Sequence, residues 1–124
     1  LPSLNASLGI SQLKRLELFI KKKKKIFELY KKIFENFEDF EMLKPIKNLR
    51  SNYWLNNVRV KNSKLIEKDR FIKSLNNSNI FARKIWKPIH LMKRYSKYPS
   101  MNLSETEKAY KEIFSLPSSE FLIK

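Results

Sequence analysis

The sequence is poor in several residue types, and each shortage excludes a class of site. It has no cysteine, which excludes disulfides and cysteine-ligated metals and fits a reducing cytosol. One histidine, His90, cannot make a histidine-rich metal centre. One glycine, Gly9, leaves no glycine-rich loop of the kind that cradles phosphates. No run of about 18 apolar residues is present, so the sequence predicts no membrane-spanning helix. The opening residues also lack the pattern of a secretory signal, and we therefore expect a cytoplasmic protein.

What the chain does have is positive charge. Its 124 residues have the length of one modest domain, and 42% of them are hydrophobic, which is enough for a single core. Lysine and arginine number 27 against 12 acidic residues, a net charge of +15. This excess fits an anionic partner such as a nucleic acid. It also fits a solvated surface, because abundant Lys, Asn, Ile and Phe are typical of a low-GC coding bias. We favour the solvated surface, since the basic residues are spread over both halves of the chain.

A long amphipathic helix is the clearest local signal. Apolar residues three and four positions apart predict a helix from Ser7 to about Phe34. The run Lys21–Lys25 goes all the way round this helix, and Lys23 falls on the apolar stripe between Ile20 and Phe27. We expect either that the stem of Lys23 lies along the core with its amino group outside, or that the core ends there.

Shorter elements follow the long helix. We predict a loop or short turn over Glu35–Pro45, a strand over Tyr53–Val60, a helix from Lys64 or Glu67 to Leu75, a strand over Ile80–Trp86, and a helix from Ser104 to about Phe114. Ser104 and Glu107 have the spacing of a capping box. This order predicts an α+β fold or a small α/β layer arrangement. Because two short strands make a poor sheet, we expect the chain to need a neighbour.

Four separated segments, in order, resemble those of one enzyme family. They are the opening Leu1–Leu13 (LPSLNASLGISQL), Ser51–Asn56 (SNYWLN), Ala82–His90 (ARKIWKPIH) and Ser115–Ser119 (SLPSS). They are similar to the DegT/DnrJ/EryC1/StrS family of sugar aminotransferases, which depend on pyridoxal phosphate (PLP). The third segment matches the family's Arg-x-x-Trp-x-Pro-x-His pattern. The resemblance covers nearly the whole chain, and it looks closest to the nucleotide-sugar 4-aminotransferases that make legionaminic-acid and bacillosamine precursors.

The resemblance implies a fragment of a larger enzyme. Residues 1–124 would be the C-terminal small domain of a fold-type I aminotransferase, working as a homodimer on a 4-keto sugar carried by a nucleotide, in glycan biosynthesis. The family's cofactor lysine, pyridine partner and phosphate cup all lie upstream of the matching region. The resemblance therefore implies no catalytic, cofactor-binding or metal-binding residue within this chain. We expect the chain alone to bind no PLP through a lysine and to be inactive.

Candidate substrate contacts are Arg83, Trp86 and His90. Arg83 can pair bidentately with a phosphate, and the stretch from Phe71 to Leu103 contains no carboxylate to compete with it. Trp86, followed by Pro88, can form a rigid wall against a sugar ring, and the resemblance implies that His90 lies near the hexose. Core packing is the default interpretation of both Trp54 and Trp86, and a hydrogen-bonded structural role is the default for His90.

Two other classes of function remain open at the level of sequence. One is a nucleic-acid-binding module that uses Lys21–Lys25 and the basic stretch 83–97, with Tyr95 and Tyr98 as stacking rings. The other is a helical interaction domain whose long helix docks on a partner. We regard a nucleic-acid partner as the weaker prediction and expect no membrane partner.

Overall fold

The computed structural model describes residues 2–61 and 65–123. Within these ranges the chain forms four α-helices, a four-stranded sheet and two 3₁₀ turns. The elements are α1 Ser3–Lys14, α2 Leu16–Phe34, β1 Phe40–Met42, β2 Asn56–Val60, α3 Leu65–Asn77, β3 Arg83–Lys84, a 3₁₀ turn Ile89–Leu91, α4 Ser104–Glu112, β4 Ile113–Leu116 and a 3₁₀ turn Glu120–Leu122. The predicted α+β class is confirmed. No helix in the described ranges is both long and apolar enough to cross a membrane.

The predicted long helix is two helices. It starts at Ser3 rather than Ser7, and it breaks at Arg15, where the backbone φ and ψ are −101° and 0°. The helix α2 buries Ile26, Phe27 and Phe34, whereas α1 buries no side chain. A one-residue interruption hardly disturbs the three-and-four spacing, which explains why the apolar pattern does not reveal it.

The sheet is antiparallel, with strand order β1-β2-β4-β3. Val58 of β2 lies opposite Phe114 of β4, and both are completely buried. The prediction that α4 continues to about Phe114 is wrong, because the helix ends at Glu112 and Ile113–Leu116 form β4. Pairing with β2 and β3 overrides the local helical pattern here. The capping box is wrong as well, since Leu103 is the N-cap residue and no side chain caps the helix.

One loop prediction and two strand predictions also need correction. The segment Glu35–Pro45 is not only loop, because its residues Phe40–Met42 pair with β2 as a sheet edge. The strand predicted over Tyr53–Val60 starts at Asn56, because Tyr53 has the left-handed φ of 51° and cannot continue it. The strand predicted over Ile80–Trp86 has only Arg83 and Lys84 in the ladder. Of the two predicted starts of α3, Lys64 lies outside the described residues, and the helix already includes Glu67.

An aromatic cluster forms the centre of the core. Phe34 of α2, Phe40 of β1, Phe71 of α3 and Phe114 of β4 lie with neighbouring ring centroids 4.9–6.4 Å apart. The other buried members of this core are Phe27, Met42, Val58, Val60, Ile72, Ala82 and Leu116. The helices α2 and α3 thus share one apolar layer with the sheet. The strand β3 and the segment after it lie at the edge of that layer.

Candidate functional site

Arg83 is placed by the edge strand β3. It lies opposite Ser115 of β4, and its side chain is exposed. The neighbouring Lys84 is neutralised by Asp69, with Nζ and Oδ2 2.6 Å apart. The guanidinium carbon of Arg83 lies 5.9 Å from the centroid of the Trp86 ring, a cation–π distance. Arg83 is therefore held above an aromatic face with its hydrogen-bond donors open to a ligand.

Trp86 meets a second tryptophan at the surface. The rings of Trp54 and Trp86 have centroids 5.7 Å apart and an interplanar angle of 53°. Their exposed fractions are 58% and 65%, so the default expectation that both are core residues is wrong. We call Trp54, Trp86 and Arg83 together the tryptophan corner. Sequence reasoning missed Trp54 as a site residue, because only the tertiary fold brings residues 54 and 86 together.

A small cavity opens beside the tryptophan corner. It has a volume of about 190 Å³ and is lined by Leu55, Asn57, Arg83, Lys84, Ile85, Trp86 and Ser115. In its wall the hydroxyl of Ser115 donates to Asn57 Oδ1 at 2.7 Å, which joins β4 to β2. Pockets for whole drug-sized ligands measure about 300–1,000 Å³. This cavity therefore has room for one ring or one phosphate group of a larger ligand.

His90 lies apart from this cavity. It occupies the 3₁₀ turn Ile89–Leu91 after Pro88, and its Nε2 is 3.1 Å from Glu107 Oε1 of α4. The exposed fractions of the two side chains are 19% and 39%. The structure thus brings Arg83 and Trp86 together, adds Trp54, and joins His90 to α4 instead. Because Nε2 is engaged by Glu107, Nδ1 is the ring nitrogen of His90 that can form a hydrogen bond to a ligand.

Two lysines withdraw from solvent, and both have partners. Lys23 Nζ donates to the Ser118 carbonyl at 2.6 Å, so its amino group is held by the backbone after β4 and not left free in water. Lys68 Nζ donates to the Tyr110 carbonyl at 3.0 Å, and burial lowers the pKa of Lys68. A PLP site needs a lysine whose amine is free to react, an acid for the pyridine nitrogen and a phosphate cup. The amines of Lys23 and Lys68 are instead bound to backbone carbonyls.

The lysine run of α2 lies on a different surface. Lys21, Lys24 and Lys25 are exposed beside a shallow depression that is lined by α2 and Ile123 and includes neither Tyr95 nor Tyr98. Those two tyrosines pair with each other at 6.4 Å, with Lys97 over Tyr98. The residues of the nucleic-acid hypothesis therefore do not share that depression. Within the described ranges, no cluster of three or more His, Asp or Glu side chains is placed to hold a metal ion.

The fold places the chain among α+β domains. The tryptophan corner gives this domain an aromatic and cationic face, which suits a ligand that carries both a ring and negative charge. The model of the DegT/DnrJ/EryC1/StrS aminotransferase family matches residues 1–123, and the chain belongs to this family. The uncharacterised protein MJ1066 of Methanocaldococcus jannaschii is 30% identical over 118 residues, which are 92% of this chain and 31% of that protein.

Solved structures agree with the family assignment. PseC of Helicobacter pylori, an aminotransferase involved in the biosynthesis of pseudoaminic acid, matches with a TM-score of 0.84 and 26% identity over 94% of this chain and 32% of its own. Spr1654 of Streptococcus pneumoniae, described as a sugar aminotransferase and solved in its PMP form, matches with a TM-score of 0.80 and 25% identity over 96% of this chain and 31% of its own. The family is PLP-dependent. The chain spans about a third of the length of these relatives, so most of each relative has no counterpart in these residues.

Proposed function

We propose that residues 1–124 are the C-terminal small domain of a PLP-dependent aminotransferase that transfers an amino group to a 4-keto sugar on a nucleotide diphosphate. The observation that carries the proposal is the tryptophan corner. An exposed guanidinium held 5.9 Å from an indole face offers charge for a diphosphate and a flat apolar surface for a sugar ring. Family membership supplies the reaction class, and this face supplies a place for the substrate.

Three residues have separate roles in this proposal. Arg83 pairs with the diphosphate, because its planar fork matches two phosphate oxygens. Trp86 packs against the hexose ring and excludes water from one side of it. His90 accepts or donates one hydrogen bond to a sugar hydroxyl through Nδ1, while Glu107 fixes the ring from the other side. None of the three moves a proton on the cofactor.

The cofactor belongs to the remainder of the enzyme in this proposal. PLP, when bound, acts as an electron sink for the amino group that is being transferred. We place its lysine in the two thirds of the family's length that this chain does not span, and we therefore propose that the chain alone is inactive. A cytoplasmic homodimer that serves surface-glycan biosynthesis, in the branch of legionaminic-acid and bacillosamine precursors, completes the proposal.

The experiment separates the two half-reactions of the enzyme that contains these residues. Glutamate serves as the amino donor, and UDP- and dTDP-linked 4-keto hexoses serve as acceptors. We expect Arg83→Ala, Trp86→Ala and His90→Gln each to lower kcat/KM for the acceptor by about ten- to a hundredfold, or roughly 1–3 kcal/mol, because each removes one contact made to the sugar nucleotide. The donor half-reaction should stay unchanged, because its chemistry lies elsewhere.

A matched control is Phe81→Ala. Phe81 is an exposed aromatic residue two positions before Arg83, outside the tryptophan corner, and its loss should leave both half-reactions intact. If the wild-type enzyme turns over none of the acceptors, the proposed substrate class is wrong. If the three variants slow both half-reactions equally, the residues serve the fold rather than the substrate.

A further inference from the structure

Trp54 is the member of the tryptophan corner with no role in the proposed function. It lies just before β2, 32 positions from Trp86 in the sequence, yet the two rings touch at the surface. Two large aromatic side chains that stay mostly exposed lose the stabilisation that burial would give each of them. Exposed apolar groups gathered in one place mark contact sites more often than singly scattered ones do.

The backbone around Trp54 is held on both sides. The amide of Trp54 donates to Asn52 Oδ1 at 3.0 Å, and its carbonyl accepts from the hydroxyl of Ser118 at 2.5 Å. The preceding Tyr53, in its left-handed conformation, packs its ring 5.3 Å from the buried Phe27 of α2. Contacts with α2 and with the segment after β4 therefore hold the backbone of Trp54 in a fixed position.

Trp86 has fewer constraints of its own. It lies after the two-residue strand β3 and before Pro88, in a segment without regular secondary structure and outside the sheet ladder. Its ring has Arg83 at 5.9 Å and Trp54 at 5.7 Å. Since the backbone of Trp54 is anchored and that of Trp86 is outside the ladder, the Trp54 ring is the better fixed of the two and restricts the rotamers open to Trp86.

We propose that Trp54 is a positioning residue, which holds the Trp86 ring in the orientation that receives the sugar and keeps Arg83 above it. The inference rests on the proposed function, in which Trp86 contacts the sugar. Trp54 itself makes no contact with the substrate. Its contribution is preorganisation, because a tryptophan already held in its bound rotamer loses less freedom when the substrate arrives.

A double-mutant cycle tests this in the holoenzyme. The variants are Trp54→Ala, Trp86→Ala, the double variant and the conservative Trp54→Phe, assayed with glutamate and with the acceptor that the wild type turns over. We expect Trp54→Ala to lower kcat/KM for the acceptor about three- to tenfold, mainly through KM, the order of effect of freeing one side chain. The donor half-reaction should not change, and Trp54→Phe should restore most of the loss. In the Trp86→Ala background, Trp54→Ala should have no further effect.

The other outcomes each overturn the inference in a recognisable way. Additive losses mean that Trp54 contacts the substrate directly, and equal losses in both half-reactions mean that it only supports the fold. No loss in Trp54→Ala while Trp86→Ala is impaired refutes the positioning role and leaves the proposed function standing. No loss in Trp86→Ala contradicts its role in the proposed function itself. Should Trp54→Ala not fold, Ser118→Ala removes only the hydrogen bond to the Trp54 carbonyl and is expected to show a smaller loss with the same dependence on Trp86.

Discussion

At the scale of single residues, Lys68 shows how burial acts on an ionisable group. The side chain lies under α4, where its amino group donates to the Tyr110 carbonyl and lies 5.8 Å from the centre of the Tyr110 ring. Burial lowers the pKa of Lys68 from its ordinary 10.5, the nearby Lys84 lowers it further, and Asp69 acts in the opposite direction. The charged form is therefore less favourable in the folded chain than in the unfolded chain.

This lowered pKa gives a signed prediction for stability. Between the folded pKa of Lys68 and 10.5 the unfolded chain binds more protons at this site, so the site's contribution to the free energy of unfolding rises with pH across that window. Lys68→Met and Lys68→Gln remove the titration. Urea unfolding measures the free energy of unfolding of the wild type and of both variants. We expect the wild type to gain stability relative to both variants as the pH rises toward 10.5. At lower pH the difference in free energy between wild type and each variant should be constant.

Lys68→Gln is the internal control, because it keeps a donor for the Tyr110 carbonyl and Lys68→Met does not. The two variants should differ by a constant amount and share the same pH trend relative to wild type. Stability curves of wild type and variants that run parallel up to pH 10.5 would mean that Lys68 has the same pKa in both states.

At the scale of elements, one half-buried lysine ties the second helix to the end of the sheet. Lys23 lies on the apolar stripe of α2, and its amino group donates to the Ser118 carbonyl at 2.6 Å, just after β4. Tyr30, two turns later on α2, donates to the neighbouring Pro117 carbonyl at 3.1 Å. These bonds hold the segment that in turn holds Trp54, so the packing of α2 reaches the candidate site.

Removing the hydrogen bond of Lys23 should therefore lower stability more than the loss of an exposed lysine does. We expect Lys23→Ala to lower the free energy of unfolding by about 1.5–3 kcal/mol, the range for a hydrogen bond from a charged group, because the Ser118 carbonyl loses its partner. Lys24→Ala is the matched control, since Lys24 is the exposed neighbour in the same run, and its loss should change stability by less than about 0.5 kcal/mol. Equal effects in chemical denaturation would contradict the interpretation.

At the scale of the whole molecule, α1 stands out because it buries nothing. Leu4, Leu8, Ile10 and Leu13 are each more than half exposed, and Leu16 at the start of α2 is 44% exposed. Phe27, further along α2, is by contrast buried in the core. An apolar helix with no partner in the described chain needs another surface to cover it.

We predict that the isolated 124-residue chain self-associates through α1 despite its net charge of +15. Leu4→Glu combined with Leu8→Glu should shift the sedimentation coefficient toward that of a monomer, because it places charge on the exposed apolar face. Met101→Glu, at an exposed apolar position far along the chain, is the control and should change little. A wild-type chain that sediments as a single monomer with a sharp cooperative melt would refute the prediction.

The sequence by itself determined what depends on neighbours along the chain. The three-and-four spacing of apolar residues located α2, the β-prone run located Asn56–Val60, and the position of Lys23 on the apolar stripe singled out that lysine within the run. The family resemblance located Arg83, Trp86 and His90 as candidates, because a motif is recognised from residues that are close together in the sequence. These features need no knowledge of what lies across the fold.

Only the tertiary structure decided what depends on partners distant in sequence. Phe40–Met42 is too short for an alternating pattern, and Ile113–Leu116 looks like the end of a helix until β2 and β3 pair with it on either side. The contact of His90 with Glu107 and the meeting of Trp54 with Trp86 join residues 17 and 32 positions apart. Whether a tryptophan is core or surface is set by the elements that pack over it, and no local signal encodes that. The candidate site is thus a product of the sheet edge and not of any one segment.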